Sequence, residues 1–205
     1  MKLRRTLCGF VVGGITALLA SQVYSGGAGN LSDDQLLEAL TNSAMVGKGQ
    51  SNLKRFKGDY EQKVKWWAAP DTEAREFKSR SATAWELDGR VMTQVVKGQW
   101  LGVDFEGLGQ ISYNRITDEY VLVWMDTMHP EVSVSRGTFD QSNDTLTFEG
   151  GLFDPIESKV RKIRIVIGIV GKSGEAHVEV YDVTAPETEF KFLELESTRL
   201  VRRGA

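Results

Sequence analysis

Lys159-Val160-Arg161-Lys162-Ile163-Arg164-Ile165-Val166-Ile167-Gly168-Ile169-Val170 decides the fold of this chain. Ile163, Ile165, Ile167 and Ile169 recur at every second residue, with Lys162, Arg164 and Gly168 among the residues between them. Successive side chains of a β-strand point to opposite faces, so the isoleucines share one apolar face and the charged residues the other. Leu146 and Phe148 alternate with Thr147 and Glu149 in the same way. One side is core and the other is wet.

Working outward, the same period of two runs from Gly58 to the C-terminus. Segments rich in Val, Ile, Thr and aromatics predict strands over about 59–69, 76–87, 91–102, 104–114, 119–127, 132–140, 144–153, 159–170, 175–184 and 188–201. Asp88-Gly89, Asn114 to Asp118, Gln141 to Asp144 and Lys172-Ser173-Gly174 supply short hairpin turns. Pro70, Pro130, Pro155 and Pro186 fall between the runs, where the missing amide removes no ladder bond. Sequential strands with short links form a meander. An up-and-down barrel arranges that many strands without exposed edges. A sandwich is the alternative, but its Greek-key crossovers need longer connections.

Before the strands, Leu31-Ser32-Asp33-Asp34-Gln35-Leu36 predicts a helix start, with Ser32 as cap, Gln35 completing the capping box and Leu31 stapled to Leu36. Leu36, Leu37, Leu40 and Ala44 form a stripe, and Gly47 and Gly49 are expected to end the helix. Its expected role is to close or pack against the β body.

The first residues carry a different signal. Lys2, Arg4 and Arg5 precede a mostly apolar run from Leu7 to Ala20, then Ser25-Gly26-Gly27-Ala28. That order is a secretory signal peptide, implying a periplasmic or secreted protein. Arg4-Arg5 admits a twin-arginine variant, although Leu3 stands where Ser or Thr is usual. The expected division is a signal peptide over 1–28, a helical segment over 29–52 and a barrel over 53–201. Membrane association enters only through an uncleaved leader.

Composition narrows the function classes. The 205 residues are 41% hydrophobic and 26% charged, as in a soluble globular protein. Without the leader, 22 basic residues face 28 acidic ones, a net of about −6, which argues against nucleic acid as a partner. The one cysteine, Cys8, lies in the leader. The body therefore has no disulfide, thiolate nucleophile or cysteine metal ligand.

A family resemblance rests on Phe105-Glu106-Gly107-Leu108-Gly109-Gln110-Ile111-Ser112-Tyr113-Asn114, followed by Tyr120-Val121-Leu122-Val123-Trp124-Met125-Asp126-Thr127-Met128. Arg136-Gly137-Thr138-Phe139-Asp140 with Leu146-Thr147, Val178-Glu179-Val180-Tyr181 and Glu196-Ser197-Thr198-Arg199 agree with it. Over roughly residues 52 to 200 the chain resembles the bacterial domain of unknown function 1579. It departs at Gly58-Asp59-Tyr60, where such proteins tend to carry Gly-x-Trp. The resemblance implies a lipocalin-like (calycin-type) barrel and brings no activity or catalytic residues.

Enzyme motifs mostly fail. Gly168-Ile169-Val170-Gly171-Lys172-Ser173 imitates a phosphate loop, but the spacing is short and a strand follows. Two histidines, His129 and His177, leave little material for a metal cluster or triad. His129 precedes Pro130 and reads as a surface loop residue. His177 alternates with Val178 and Val180, so it faces outward if they face inward; haem ligation by His177 at a barrel mouth is the minor alternative. No cofactor, metal or catalytic residue is predicted, and the chain leans away from being an enzyme. Asp126, two residues after Trp124 on the same face, either places a charge beside a pocket or caps a turn.

Aromatics are the stronger signal. Trp66, Trp67, Trp85, Trp100, Trp124, Tyr113 and Phe139 all fall on predicted strands. A barrel either fills its interior with such rings or holds a ligand among them. The expected pocket wall is Trp66, Trp85, Tyr113, Trp124 and Asp126, around a small, largely apolar molecule. The alternatives are a filled barrel acting as an envelope interaction module, and an unrecognised haem-dependent or isomerase-like enzyme.

Overall fold

A computed structural model describes residues 31–170, 175–185 and 187–201. The proposed leader, the Lys172-Ser173-Gly174 turn and Pro186 lie outside the described residues. The chain divides into two compact units, one up to Met45 and one from Val46 onward.

In the first unit, α1 (Asp33–Ser43) is capped as its sequence predicts. The Ser32 Oγ accepts from the Gln35 amide at 3.3 Å, and the Gln35 Oε1 accepts from the Ser32 amide at 3.0 Å. No residue of α1 is buried within its own unit. Among the described residues no helix is long and apolar enough to cross a membrane.

The second unit is a closed, antiparallel, up-and-down barrel in strict sequence order. Its strands are β1 (Gly58–Trp66), β2 (Arg75–Glu86), β3 (Val91–Trp100), β4 (Val103–Asn114), β5 (Glu119–Asp126), β6 (Ser133–Asp140), β7 (Thr145–Asp154), β8 (Lys159–Val170), β9 (Glu175–Asp182) and β10 (Phe190–Arg199). All ten match the runs read from the two-residue period. β1 pairs with β10 from Tyr60↔Arg199 to Trp66↔Leu193, which closes the sheet and removes both edges. The opposed pairs Phe148↔Ile165 and Leu146↔Ile167 put the isoleucine face of β8 inside.

The hairpins turn where short polar residues tolerate the left-handed region. Asp88 and Gly89 join β2 to β3 at φ 54° and 84°. Asp118 and Asp144 do so at φ 56° and 54° in the turns after β4 and β6. The β3–β4 turn is different: Leu101, exposed at φ 51°, stands before Gly102 where Asn is the usual residue.

Gly47 and Gly49 do not simply end a helix. A second helix, α2 (Lys48–Leu53), begins at them. The Gly47 amide donates to the Gln50 Oε1 at 2.8 Å. Gly49 lies flat on the Tyr113 ring, so closely that any added Cβ would overlap it. The breaker signal was real, but it marked a close approach of backbone to ring. α2 drives Leu53 into one end of the barrel, where it is fully buried with Met92, Tyr120, Leu146 and Phe148. Tyr120 Oη donates to the Gly49 carbonyl at 3.0 Å and accepts from Asn52 Nδ2 at 2.9 Å, fastening the plug. Tyr60, at the position where Trp was expected from the family, is buried and lies under the Arg199 guanidinium, 5.0 Å from the ring centre.

Candidate functional site at the open end of the barrel

The five residues expected to wall a pocket all face into the barrel, but they divide between its ends. Trp85 and Tyr113 pack against the α2 end: both touch the buried Leu53–Phe148 cluster. Trp66, Trp124 and Asp126 lie towards the opposite end. There Trp100 meets Trp66 edge-on at 5.2 Å and Phe77 at 4.6 Å, and stands 6.4 Å from Phe105. This aromatic group comes from four consecutive strands, β1 to β4, at the ends farthest from α2. Trp67, expected on a strand, falls just beyond β1, with Lys191 Nζ 5.7 Å from its ring.

Between the two ends the inner face is polar along β1 to β3, with Gln62, Ser79, Ser81 and Thr83 buried there, and apolar but incompletely covered along β9 and β10. Val178, Val180, Leu193 and Leu195 face inward by register yet are only half-buried, whereas Leu53 and Phe148 are wholly buried. Barrel diameter grows with strand number, and an eight-stranded interior is already just filled or holds one small ligand.

The Phe105–Gly109 motif has a clear physical role. Gly109 pairs with Trp124, and Gly107 with Asp126, across β4 and β5. A Cβ on Gly107 would come 2.6 Å from the Trp124 ring, and one on Gly109 would come 3.3 Å from it. The two glycines make a cradle in which the indole lies flat on the sheet. So held, Trp124 donates from Nε1 to Asp126 Oδ2 at 2.7 Å.

Asp126 both caps a turn and faces into the barrel. Its side chain is 2% exposed and accepts from the Met128 amide at 2.7 Å and the His129 amide at 2.9 Å. Both its oxygens also meet His129 Nδ1, at 2.9 and 3.0 Å. Burial pushes the Asp126 carboxyl up, but the bonds from His129, Met128 and Trp124 outweigh it and hold it below the ordinary carboxylate value. The bond to Asp126 raises His129 above its usual value against burial, and the charges of Asp126 and Asp154 add to the rise. His129 is therefore not the surface loop histidine its Pro130 neighbour suggested: 30% of its side chain is exposed and the rest is tied to Asp126.

On the facing wall, Arg161 donates to Asp182 at 3.0 Å and lies at salt-bridge distance from Asp154 and Glu157. By register with Leu152 and Ile163, Arg161 and Asp182 face inward. The open end thus combines aromatic rings with an Asp–His pair and an Arg–carboxylate group. Sequence reading missed the Arg161 group because Lys159 and Lys162 around it blur its parity.

Other charged groups lie outside. Val178 and Val180 face inward, so His177 faces out, as the alternation expected, and the lumen holds no haem ligand at that position. His177, Glu179 and Glu194 bring ligand atoms within 4.8 Å of one another on the outer wall. Lys191 Nζ already lies among them, 2.9 Å from Glu179 and 2.5 Å from Glu194, and helps draw Glu179 down to about 2. A hollow of about 440 Å³ is lined mainly by the outward-facing Lys63, Lys65, Glu76, Lys78, Glu194 and Glu196, with Val64 and Phe77 beneath them. Mixed charges of that kind mark a solvated face.

Fold and site together define a closed ten-stranded β-barrel, plugged at one end and lined with aromatics at the other. The chain belongs to the family described as "Protein of unknown function (DUF1579)", whose model matches residues 47–199. No curated protein matches it. Among solved structures it is similar to that titled "Crystal Structure of Rv2717c from M. tuberculosis", at 12% identity and a TM-score of 0.58, covering 77% of this chain and 100% of that one. At that identity the likeness is one of fold.

Proposed function

We propose that the chain is an exported, non-catalytic barrel that binds one small, largely apolar molecule in its interior. The observation that carries this reading is the incompletely covered apolar inner face, Val178, Val180, Leu193 and Leu195, between a packed end and an aromatic one. Pockets for small ligands are apolar and aromatic with a few placed polar groups, which Trp66, Trp100, Trp124, Asp126 and His129 supply. Export rests on the basic and apolar order of the first twenty-eight residues. Enzymatic chemistry has less support. Asp126 is held ionised and fully occupied by donors, so it is no general acid.

The test is native mass spectrometry on gently purified residues 29–205, before and after denaturing extraction, with an absorbance spectrum. A retained or acquired small apolar mass supports the reading; a chain that neither retains nor takes up any such molecule overturns it. That outcome turns attention to the second reading, an interaction module. Unburied Leu37 and Leu40 on α1 favour it.

A further inference from the structure

Most polar groups on the inner face are already matched. Ser79 donates to Gln62 at 2.8 Å, Gln94 to Ser81 at 3.5 Å, and Ser133 to the Gly151 carbonyl at 2.6 Å. Arg161 is bound to Asp154 and Asp182 through its terminal nitrogens, while its buried Nε has no partner. Two further groups keep unused capacity among the described residues. Thr83 Oγ1 is buried with no partner on the β2 face that also carries Trp85. The other is His129 Nε2, which makes no hydrogen bond.

His129 is aimed as well as free. Its Nδ1 is bound to an inward carboxylate of β5, and it lies within the field of Asp154, an inward carboxylate of β7. The ring therefore hangs over the barrel mouth between those strands. A carboxylate on Nδ1 fixes the ring orientation and leaves the other nitrogen to act. The Gly107–Gly109 cradle, Trp124 and Asp126 form an unbroken chain of contacts leading to that nitrogen.

We propose that His129 Nε2 is the polar contact of the interior ligand, and that the ligand is an uncharged, largely apolar molecule carrying an oxygen acceptor such as a ketone carbonyl. This rests on the binding reading above and adds the ligand's class. Charge offers an anion no net attraction: among the described residues the mouth sets the carboxylates Asp126, Asp154, Asp182 and Glu157 against Arg161, Lys159, Arg75 and protonated His129, with Lys159 already paired to Glu157 and Arg75 over the Trp66 ring. Glu131, in the same loop as His129, is exposed. While His129 is protonated, Nε2–H donates to the carbonyl. As pH rises through its raised value, Nδ1–H stays on Asp126, Nε2 becomes an acceptor, and the ketone loses its partner.

The test uses the whole mature chain loaded with N-phenyl-1-naphthylamine, a neutral apolar fluorophore excited by transfer from tryptophan. It is displaced by decane, 2-decanone or decanoate. At about pH 6 the ketone should outcompete decane about tenfold, the size of one charge-assisted hydrogen bond. Decanoate should do no better than decane. The ketone advantage should vanish at about pH 9.5 and in His129→Phe; His129→Gln, which keeps a side-chain donor, should restore part of it. An unchanged ketone-to-decane ratio in His129→Phe, or a preference for decanoate, overturns the assignment while leaving interior binding intact. A fluorophore that never enters the barrel overturns both.

Discussion

The two ends of the barrel are made from the same alternating strands and finished differently. At the α2 end, Leu53 enters as a stopper, Gly49 lets helix backbone rest on Tyr113, and Tyr120 ties the helix down through two hydrogen bonds. At the other end, rings from β1 to β4 line the wall and an Asp–His pair holds the loop after β5. Buried apolar side chains stabilise one end, whereas paired polar groups and part-exposed rings shape the other. On the binding reading proposed above, stability and ligand recognition are separated along the barrel axis, so one can be altered without the other.

The largest effect that tests this separation is Phe148→Ala. Removing a wholly buried phenylalanine should lower unfolding free energy by about 4 kcal/mol. Urea unfolding would read it, and surviving molecules should still bind the apolar fluorophore. A loss below about 1 kcal/mol would mean that the plugged end is not where stability resides.

Gly107→Ala should be smaller, about 2 kcal/mol, because its Cβ must displace the Trp124 ring from the sheet. Here recognition should suffer more than stability: fluorophore binding weakens and tryptophan emission shifts as Nε1 leaves Asp126. Unchanged emission would show that the cradle does not position the indole.

The smallest effect is the pH dependence of the open end. His129 has a raised folded value, so its contribution is full below about 6.5 and lost as pH rises through the folded value. Asp126 has a depressed one, so its contribution is present above about 3.8 and lost as pH falls through the lower folded value. Thermal unfolding should therefore be highest between those limits. Asp126→Asn should lower the melting temperature and flatten the decline above neutrality. An undiminished decline in that variant would assign it to another group.

The strands were legible because a closed sheet with one apolar face imposes a period of two, which Ile163, Ile165, Ile167 and Ile169 sustain over seven residues. Parity likewise placed Trp66, Trp85, Tyr113, Trp124 and Asp126 on the inner face. Which end of the barrel each one joins depends on register across neighbouring strands, and no single strand carries that information. His129 was misread because proximity to Pro130 describes the loop backbone and not the carboxylate three residues back. Gly49 was misread because a glycine that admits a ring and one that ends a helix are the same letter.

Closure of the barrel also has a kinetic meaning. Arg199, on the last strand, donates to the Arg55 carbonyl at 2.6 Å, the Lys57 carbonyl at 2.7 Å and Tyr60 Oη at 2.7 Å, the last a partner 139 positions earlier. The latch cannot engage until almost the whole body of the chain has been synthesised. Pairing between such distant segments is slow, because loop-closure entropy must be met before the contact forms. A nascent chain of this design stays without its final seam throughout elongation.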